Sequence, residues 1–202
     1  MRGALLDRDG VLLLLDEESL YKKALELSTH GAGLEKALAV LAQAMGEILQ
    51  AVRALKVRTL AEEARFFATL TQKAAKELRL PPERLQGLRY YHFMRKAPGA
   101  EALLQHLKAQ GLKVGVLSNT LPSLKESLVY HGLDGYIDGF FASCAMGVAK
   151  PDPKAFLLAL NGLGLSPEET LYLDDDPENV ETAQKLGLRA AVYVPHQSVV
   201  DS

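Results

Sequence analysis

The chain has one cysteine, Cys144, and no tryptophan. A lone cysteine excludes an intramolecular disulfide and fits a reducing compartment. No apolar run approaches the ~18 residues that a membrane span requires. Ala4-Leu5-Leu6 is cut short by Asp7, so the amino-terminal stretch reads as carrying no secretory apolar segment. No basic block stands out, and a net charge of −2 argues against a nucleic-acid or membrane-surface role. The histidines show no zinc-like spacing; His30, His106, His131 and His196 read as surface or capping residues. What is present is ordinary: 48% apolar residues in 202, enough chain to bury on the order of 70% of its unfolded surface. The expectation is a soluble, cytoplasmic protein.

Against that background one stretch is unusual, Leu5-Leu6-Asp7-Arg8-Asp9-Gly10-Val11-Leu12. Apolar residues run straight into it, so it reads as a buried strand ending in a glycine turn. Residues two apart on extended backbone share a side, so Asp7 and Asp9 can face one site, with Arg8 pointing away. Two close carboxylates are costly unless a cation lies between them or a proton is shared. The pattern therefore suits a divalent cation, with one carboxylate as nucleophile and the other as acid and base. A calcium loop is excluded: counting from Asp7, the closing Glu18 is present, but Val11, Leu13 and Leu15 occupy ligand positions.

Residues 16–96 contain no convincing strand. Leu34, Leu38, Leu41, Met45, Ile48, Val52 and Leu55 form one stripe of a long amphipathic helix. Thr59-Leu60-Ala61-Glu62 is a capping box that opens another helix. Pro81-Pro82 ends it, and a further helix is expected over 83–95. With an earlier helix over 17–28, this makes a four-helix bundle. From Ala97 onward short apolar strands alternate with helices: strands at 113–117, 140–142, 171–173 and 190–194, helices over 99–110, 123–131, 154–163 and up to Leu186. Such alternation predicts an α/β fold with a doubly wound, Rossmann-like parallel sheet. The first strand lies before the bundle. The expected organisation is thus a core of residues 1–15 and 97–202 with residues 16–96 inserted as a cap.

In such sheets ligands bind beyond the carboxyl ends of the strands. Asp7/Asp9, Ser118-Asn119 and Asp174-Asp175-Asp176 all stand at such ends, and Lys150 in Gly147-Val148-Ala149-Lys150-Pro151-Asp152-Pro153 opens a helix. Each alone reads as a turn, a solvated lysine or a helix cap. Together they supply carboxylates for a cation, donors for an anion, and a lysine between them.

In this order the four clusters resemble the motifs of the haloacid dehalogenase-like hydrolase superfamily, and the insertion resembles its small helical cap. The spacing from Asp174 to Asn179 is similar to a bacterial branch that includes sugar-phosphate phosphatases and the phosphatase-like domains of epoxide hydrolases. The resemblance implies Asp7 as the nucleophile that becomes an aspartyl phosphate, and Asp9 as general acid and base. It implies Ser118 and the Asn119 amide as phosphate holders, and Lys150 as the cation that neutralises Asp7 and phosphate. It also implies Mg2+ held by Asp7, the Asp9 carbonyl and Asp175, with Asp174 as an outer ligand. The chain departs from the pattern at Arg8, where an apolar residue is usual, at Leu14, where an acidic residue is frequent, and at Asn179, where many members have Asp.

The expectation is a hydrolase of a small phosphomonoester, with no nucleic-acid or membrane partner. A dehalogenase of the same fold needs neither Asp9 nor a metal; a phosphomutase and a non-catalytic binding protein are the other readings. Tyr90, Tyr91, His92, Arg95 and Lys96 sit at the cap exit, either as a helix face, the favoured reading, or as substrate contacts.

Overall fold

The computed structural model describes residues 1–195; His196 lies outside them. Five parallel strands form the sheet: β1 (Gly3–Leu6), β4 (Lys113–Ser118), β5 (Gly139–Ala142), β6 (Thr170–Asp174) and β7 (Arg189–Val192). Their order is β5-β4-β1-β6-β7. β1 is central and buried along its whole length, as continuous apolar runs in a parallel sheet require.

Alternation along the strands sorts side chains onto two faces. Ala4, Leu6, Val114 and Val116 pack with Leu104 and Leu107 of α4 (Ala100–Ala109) and with Leu124 and Leu128 of α5 (Leu124–Tyr130). Leu5, Leu117 and Tyr172 pack on the other face. Their partners are Phe156, Ala159, Leu160 and Leu163 of α7 (Pro153–Leu163), and Val180 and Ala183 of α8 (Pro177–Lys185). A short helix, α6 (Ser143–Met146), follows β5. Helices on both faces make the doubly wound α/β class.

Between β1 and α4 the chain leaves the sheet. β2 (Leu13–Leu15) pairs antiparallel with β3 (Met94–Lys96), and the segment between them holds α1 (Glu17–Leu27), α2 (Leu34–Arg53) and α3 (Leu60–Leu78). This segment has an apolar cluster of its own, including Ala24, Leu27, Ala37, Val40, Leu41, Ala75 and Leu78. The capping box forms as its sequence implies: Glu62 N–H donates to Thr59 Oγ1 at 3.2 Å, and Thr59 N–H donates to Glu62 Oε2 at 3.2 Å.

The fourth helix expected over 83–95 does not form, so the cap has three long helices. Two single 3-10 turns, Pro82–Arg84 and Tyr90–Phe93, stand in its place, followed by β3. Gly87 between them has φ +80°, a left-handed conformation that an α-helix cannot contain. Residues 94–96 gain ladder hydrogen bonds to β2, a non-local partner that no local helical pattern reveals. Asp16, next to that ribbon, caps α1 by accepting from Ser19 N–H at 3.2 Å.

Candidate active site

The strand order reverses direction at β1, whose neighbours are β4 on one side and β6 on the other. Leu6 lies beside Val116 and Leu173, so the residues just beyond emerge side by side at one crevice. This is the topological switch point, where open α/β sheets place ligands.

Lys150, buried, is the centre of the cluster. Its Nζ lies 3.0 Å from Asp7 Oδ1 and 2.7 Å from Asp174 Oδ2. The loop that carries it is held by Asn119, whose Nδ2 donates to the Lys150 carbonyl at 2.9 Å and whose Oδ1 accepts from the Lys150 N–H at 2.9 Å. The Asn119 side chain thus positions the lysine. Burial opposes charge on Lys150, but Asp7 and Asp174 outweigh it and keep the ammonium protonated.

The two carboxylates differ in company. Asp174 Oδ2 accepts from Lys150, the Tyr172 hydroxyl and Asn179 Nδ2, and its Oδ1 accepts from the Asp176 N–H at 2.8 Å. Burial pushes against its charge, yet these donors, Lys150 foremost, hold the carboxyl below the usual range. Asp7 accepts from Lys150 and from the Arg8 N–H at 2.7 Å. Burial, aided by the charges of Asp174 and Asp9, outweighs Lys150 and pushes Asp7 up to about 7. One lysine serves two buried carboxylates, and Asp7 is left undercompensated.

Ser118, on the strand beside Asp7, is fully buried, and its Oγ has no hydrogen-bond partner. Among the described residues it is the sole buried side-chain polar atom so placed. A buried hydroxyl without a partner costs about 1–3 kcal/mol.

Asp7, Asp174 and Asp175 each bring a carboxylate oxygen within 4.8 Å of the others. Three carboxylates at this spacing fit a hard divalent cation, which would also supply the charge that Asp7 lacks. Asp174 has its oxygens engaged by four donors, so Asp7 and Asp175 hold the free ligand capacity. Burial and the Asp174 charge push Asp175 upward as well. Gly10 makes the grouping possible: its φ is +77°, and a Cβ there would stand 2.3 Å from the Asp175 carboxyl. Only glycine lets Asp175 lie over the turn that carries Asp9.

Asp9 itself stands apart from that carboxylate group. Arg8 does not point away from the carboxylates: its Nε and Nη2 each lie 2.9 Å from an Asp9 oxygen, a bidentate pair. The two-residue alternation stops at Leu6, because residues 8–13 close into a turn in which the Leu12 and Leu13 N–H groups donate to the Arg8 carbonyl. Arg8 is buried, and its Nη1 reaches the Tyr90 hydroxyl at 2.7 Å. Burial works against its charge, but Asp9 and Tyr90 outweigh it and raise its pKa. Tyr90 also accepts from Thr120 Oγ1 at 3.2 Å, so a cap residue is tied to the site. Of the cap-exit cluster, Tyr90 is the member brought here, on a 3-10 turn and not a helix face.

Sequence reasoning missed Tyr172, Thr120 and Glu63. Tyr172 was legible, since it stands two residues before Asp174 on one strand and so shares its face. Glu63 of α3, buried, accepts from the Ser123 N–H at 2.8 Å and the Ser123 hydroxyl at 2.5 Å, joining cap to sheet domain. Nothing local in the sequence marks that contact. Cys144 is buried, which pushes its thiol up to about 11 and leaves it unreactive.

Fold and cluster together define a class: doubly wound α/β domains with a lysine-bridged carboxylate pair at the switch point and a helical insertion after the first strand. The chain belongs to the haloacid dehalogenase-like hydrolases, whose family model matches residues 1–187. It is 34% identical over 126 residues to the phosphoserine phosphatase of Thermus thermophilus, covering 59% of this chain and 51% of that protein. It is 32% identical over 97 residues to a phosphoglycolate phosphatase of Cereibacter sphaeroides, covering 48% and 44%. The chain thus spans about half the length of the curated relatives it matches. Among solved structures, one L-2-haloacid dehalogenase superposes with a TM-score of 0.68 at 25% identity, over 98% of this chain and 89% of that one. A family enzyme of Bacteroides thetaiotaomicron, solved as an aspartate-to-alanine mutant with magnesium and inorganic phosphate, gives 0.65 at 19% identity over 99% and 97%.

Proposed function

We propose that the protein is a magnesium-dependent phosphatase of a small phosphomonoester. The observation that carries this reading is the unpartnered Ser118 hydroxyl beside the Asp7–Lys150 pair. Its missing partner is a phosphate oxygen. Asp7 attacks phosphorus and becomes an aspartyl phosphate, while Lys150 balances the charge of Asp7 and of the incoming dianion. Phosphoryl transfer is mainly positioning and charge neutralisation, because an anionic nucleophile cannot approach a dianion otherwise. Mg2+, held by Asp7, Asp175 and the Asp9 carbonyl, would supply the remaining positive charge. Asp9 protonates the leaving alkoxide, and then deprotonates the attacking water.

The domain division belongs to the same proposal: residues 1–15 and 97–202 carry the chemistry and residues 16–96 cover it. The proposed compartment is the cytoplasm, on the single buried Cys144; among the described residues no helix is long and apolar enough to cross a membrane.

The dehalogenase likeness over nearly the whole chain favours a second reading, displacement of halide by Asp7. Retention of Asp9 and Asp175 weighs against it, since halide leaves without a proton or a metal. Hydrolysis of an aryl phosphate with magnesium, abolished by chelator, tests the choice. Turnover of a 2-haloacid undiminished by chelator, with no phosphate release, would establish the second reading.

A further inference from the structure

Beside Asp9, Asn119 and Thr120 a cleft of about 120 Å³ runs up between the sheet domain and the cap. Its floor includes Asn119, whose side chain holds the Lys150 loop. Its walls are Leu15, Met45, Ile48, Leu49, Val52 and Met94. Leu15 and Leu49 keep 50% and 55% of their surface exposed, which leaves apolar area uncovered at the entrance.

The charged groups lining the cleft are Arg8 and Asp9, and they satisfy each other. Arg8 gives Nε and Nη2 to Asp9 and Nη1 to Tyr90 and, at 3.4 Å, to Ser127. A carboxylate entering this space would have to win Arg8 from Asp9, or lose its hydration with no partner. Methylene groups meet no such obstacle; each one buried against these walls strengthens binding by about three- to fourfold.

Resting on the phosphatase reading above, we infer that the leaving group is an uncharged, apolar alcohol seated among these side chains, and not the charged serine or glycolate handled by the named relatives. The cap therefore selects by exclusion of charge. The neutral end of the substrate extends toward Leu15 and Leu49, while the phosphate lies against Ser118 and Lys150.

The test uses the whole protein with magnesium and a matched ester set: ethyl, propyl and butyl phosphate against phosphoglycolate and phosphoserine, with an aryl phosphate as control. Propyl phosphate and phosphoglycolate have similar size and differ in charge. The inference expects kcat/KM to rise about threefold per methylene from ethyl to butyl, and propyl phosphate to exceed phosphoglycolate by about tenfold or more. Inhibition of the aryl reaction by butylphosphonate and phosphonoacetate gives the same comparison without turnover, and butylphosphonate should be the tighter. Leu49→Lys, on an exposed helix position, should narrow or invert that ratio, with melting curves confirming the fold. Preference for phosphoglycolate or phosphoserine, or an unchanged ratio in Leu49→Lys, overturns the inference and leaves the phosphatase reading standing. No phosphate release from any ester, the aryl control included, overturns both.

Discussion

At the carboxyl edge of the sheet nearly every polar atom is held by another: Asn119 holds the Lys150 loop, Lys150 holds Asp7 and Asp174, and Tyr172 and Asn179 hold Asp174. Across the cleft, α2 presents Met45, Ile48, Leu49 and Val52, which make no such bonds. The cap meets the sheet domain through an apolar cluster that joins Ile48, Phe67, Leu70 and Tyr90 to Leu121 and Cys144, and through polar contacts of Glu63 to Ser123 and of Tyr90 to Arg8 and Thr120. The contrast teaches a division of labour. Chemistry needs charges fixed to within fractions of an ångström, and a dense hydrogen-bond network does that. Selection among alcohols needs only shape and the exclusion of charge, which apolar side chains provide.

The most severe way to break the polar side is Asp7→Asn. Turnover should fall on the order of 10⁴-fold or more, because the proposed nucleophile is gone. Stability should move the other way. The folded-state value of Asp7, about 7, lies above its ordinary 3.8, so its contribution is fully present below about pH 4 and is lost as pH rises to 7. Metal-free Asp7→Asn should escape that loss and exceed wild type by on the order of 2–4 kcal/mol at pH 8. Denaturant melts at pH 4 and pH 8 check this; equal pH slopes would show that Asp7 is adequately compensated by Lys150.

Asp9→Asn comes next. Alkyl-phosphate turnover should drop by about 10²–10⁴-fold, and an aryl ester, whose leaving group needs less protonation, should lose less. Rates of both esters, wild type against variant, decide it. Similar losses on both esters would remove the acid role.

Lys150→Met leaves two buried carboxylates facing each other. A loss of about 3–5 kcal/mol in metal-free unfolding free energy is expected at pH 8, shrinking in acid as the carboxylates take up protons. A pH-independent loss would point to packing alone.

The mildest change sharpens the cap side. Glu63→Gln replaces an acceptor of two Ser123 bonds by a neutral amide and should cost about 1–2 kcal/mol near neutral pH. Burial holds Glu63 above its ordinary 4.5, so the wild-type contact is strongest in acid and weakens as pH rises through that raised value. The variant should lack this slope in a Tm-against-pH series. An identical slope would assign the effect to another group.

The inner strands β1, β4 and β6 were legible because each is a short apolar run closed by polar residues, and burial on both faces permits little else. Helix starts at Thr59 and Asp152 were legible because a cap is a local bond between neighbours. Residues 83–95 misled because their helical pattern is weak where β2 offers Met94–Lys96 a ladder. Arg8 misled for a related reason: alternation predicts direction on a strand, and β1 ends two residues earlier.

Local order therefore determined the strand–helix alternation, the insertion after the first strand and the polar residues at the strand ends. These follow from periodicity and turn chemistry, which act over a few residues. Only the folded chain decided that Lys150 lies between Asp7 and Asp174, that Arg8 forks onto Asp9, that Glu63 meets Ser123, and that Ser118 is left without a partner. Each joins a side chain to a group whose position in space depends on how separate elements pack, and electrostatic and hydrogen-bond energies turn on those distances.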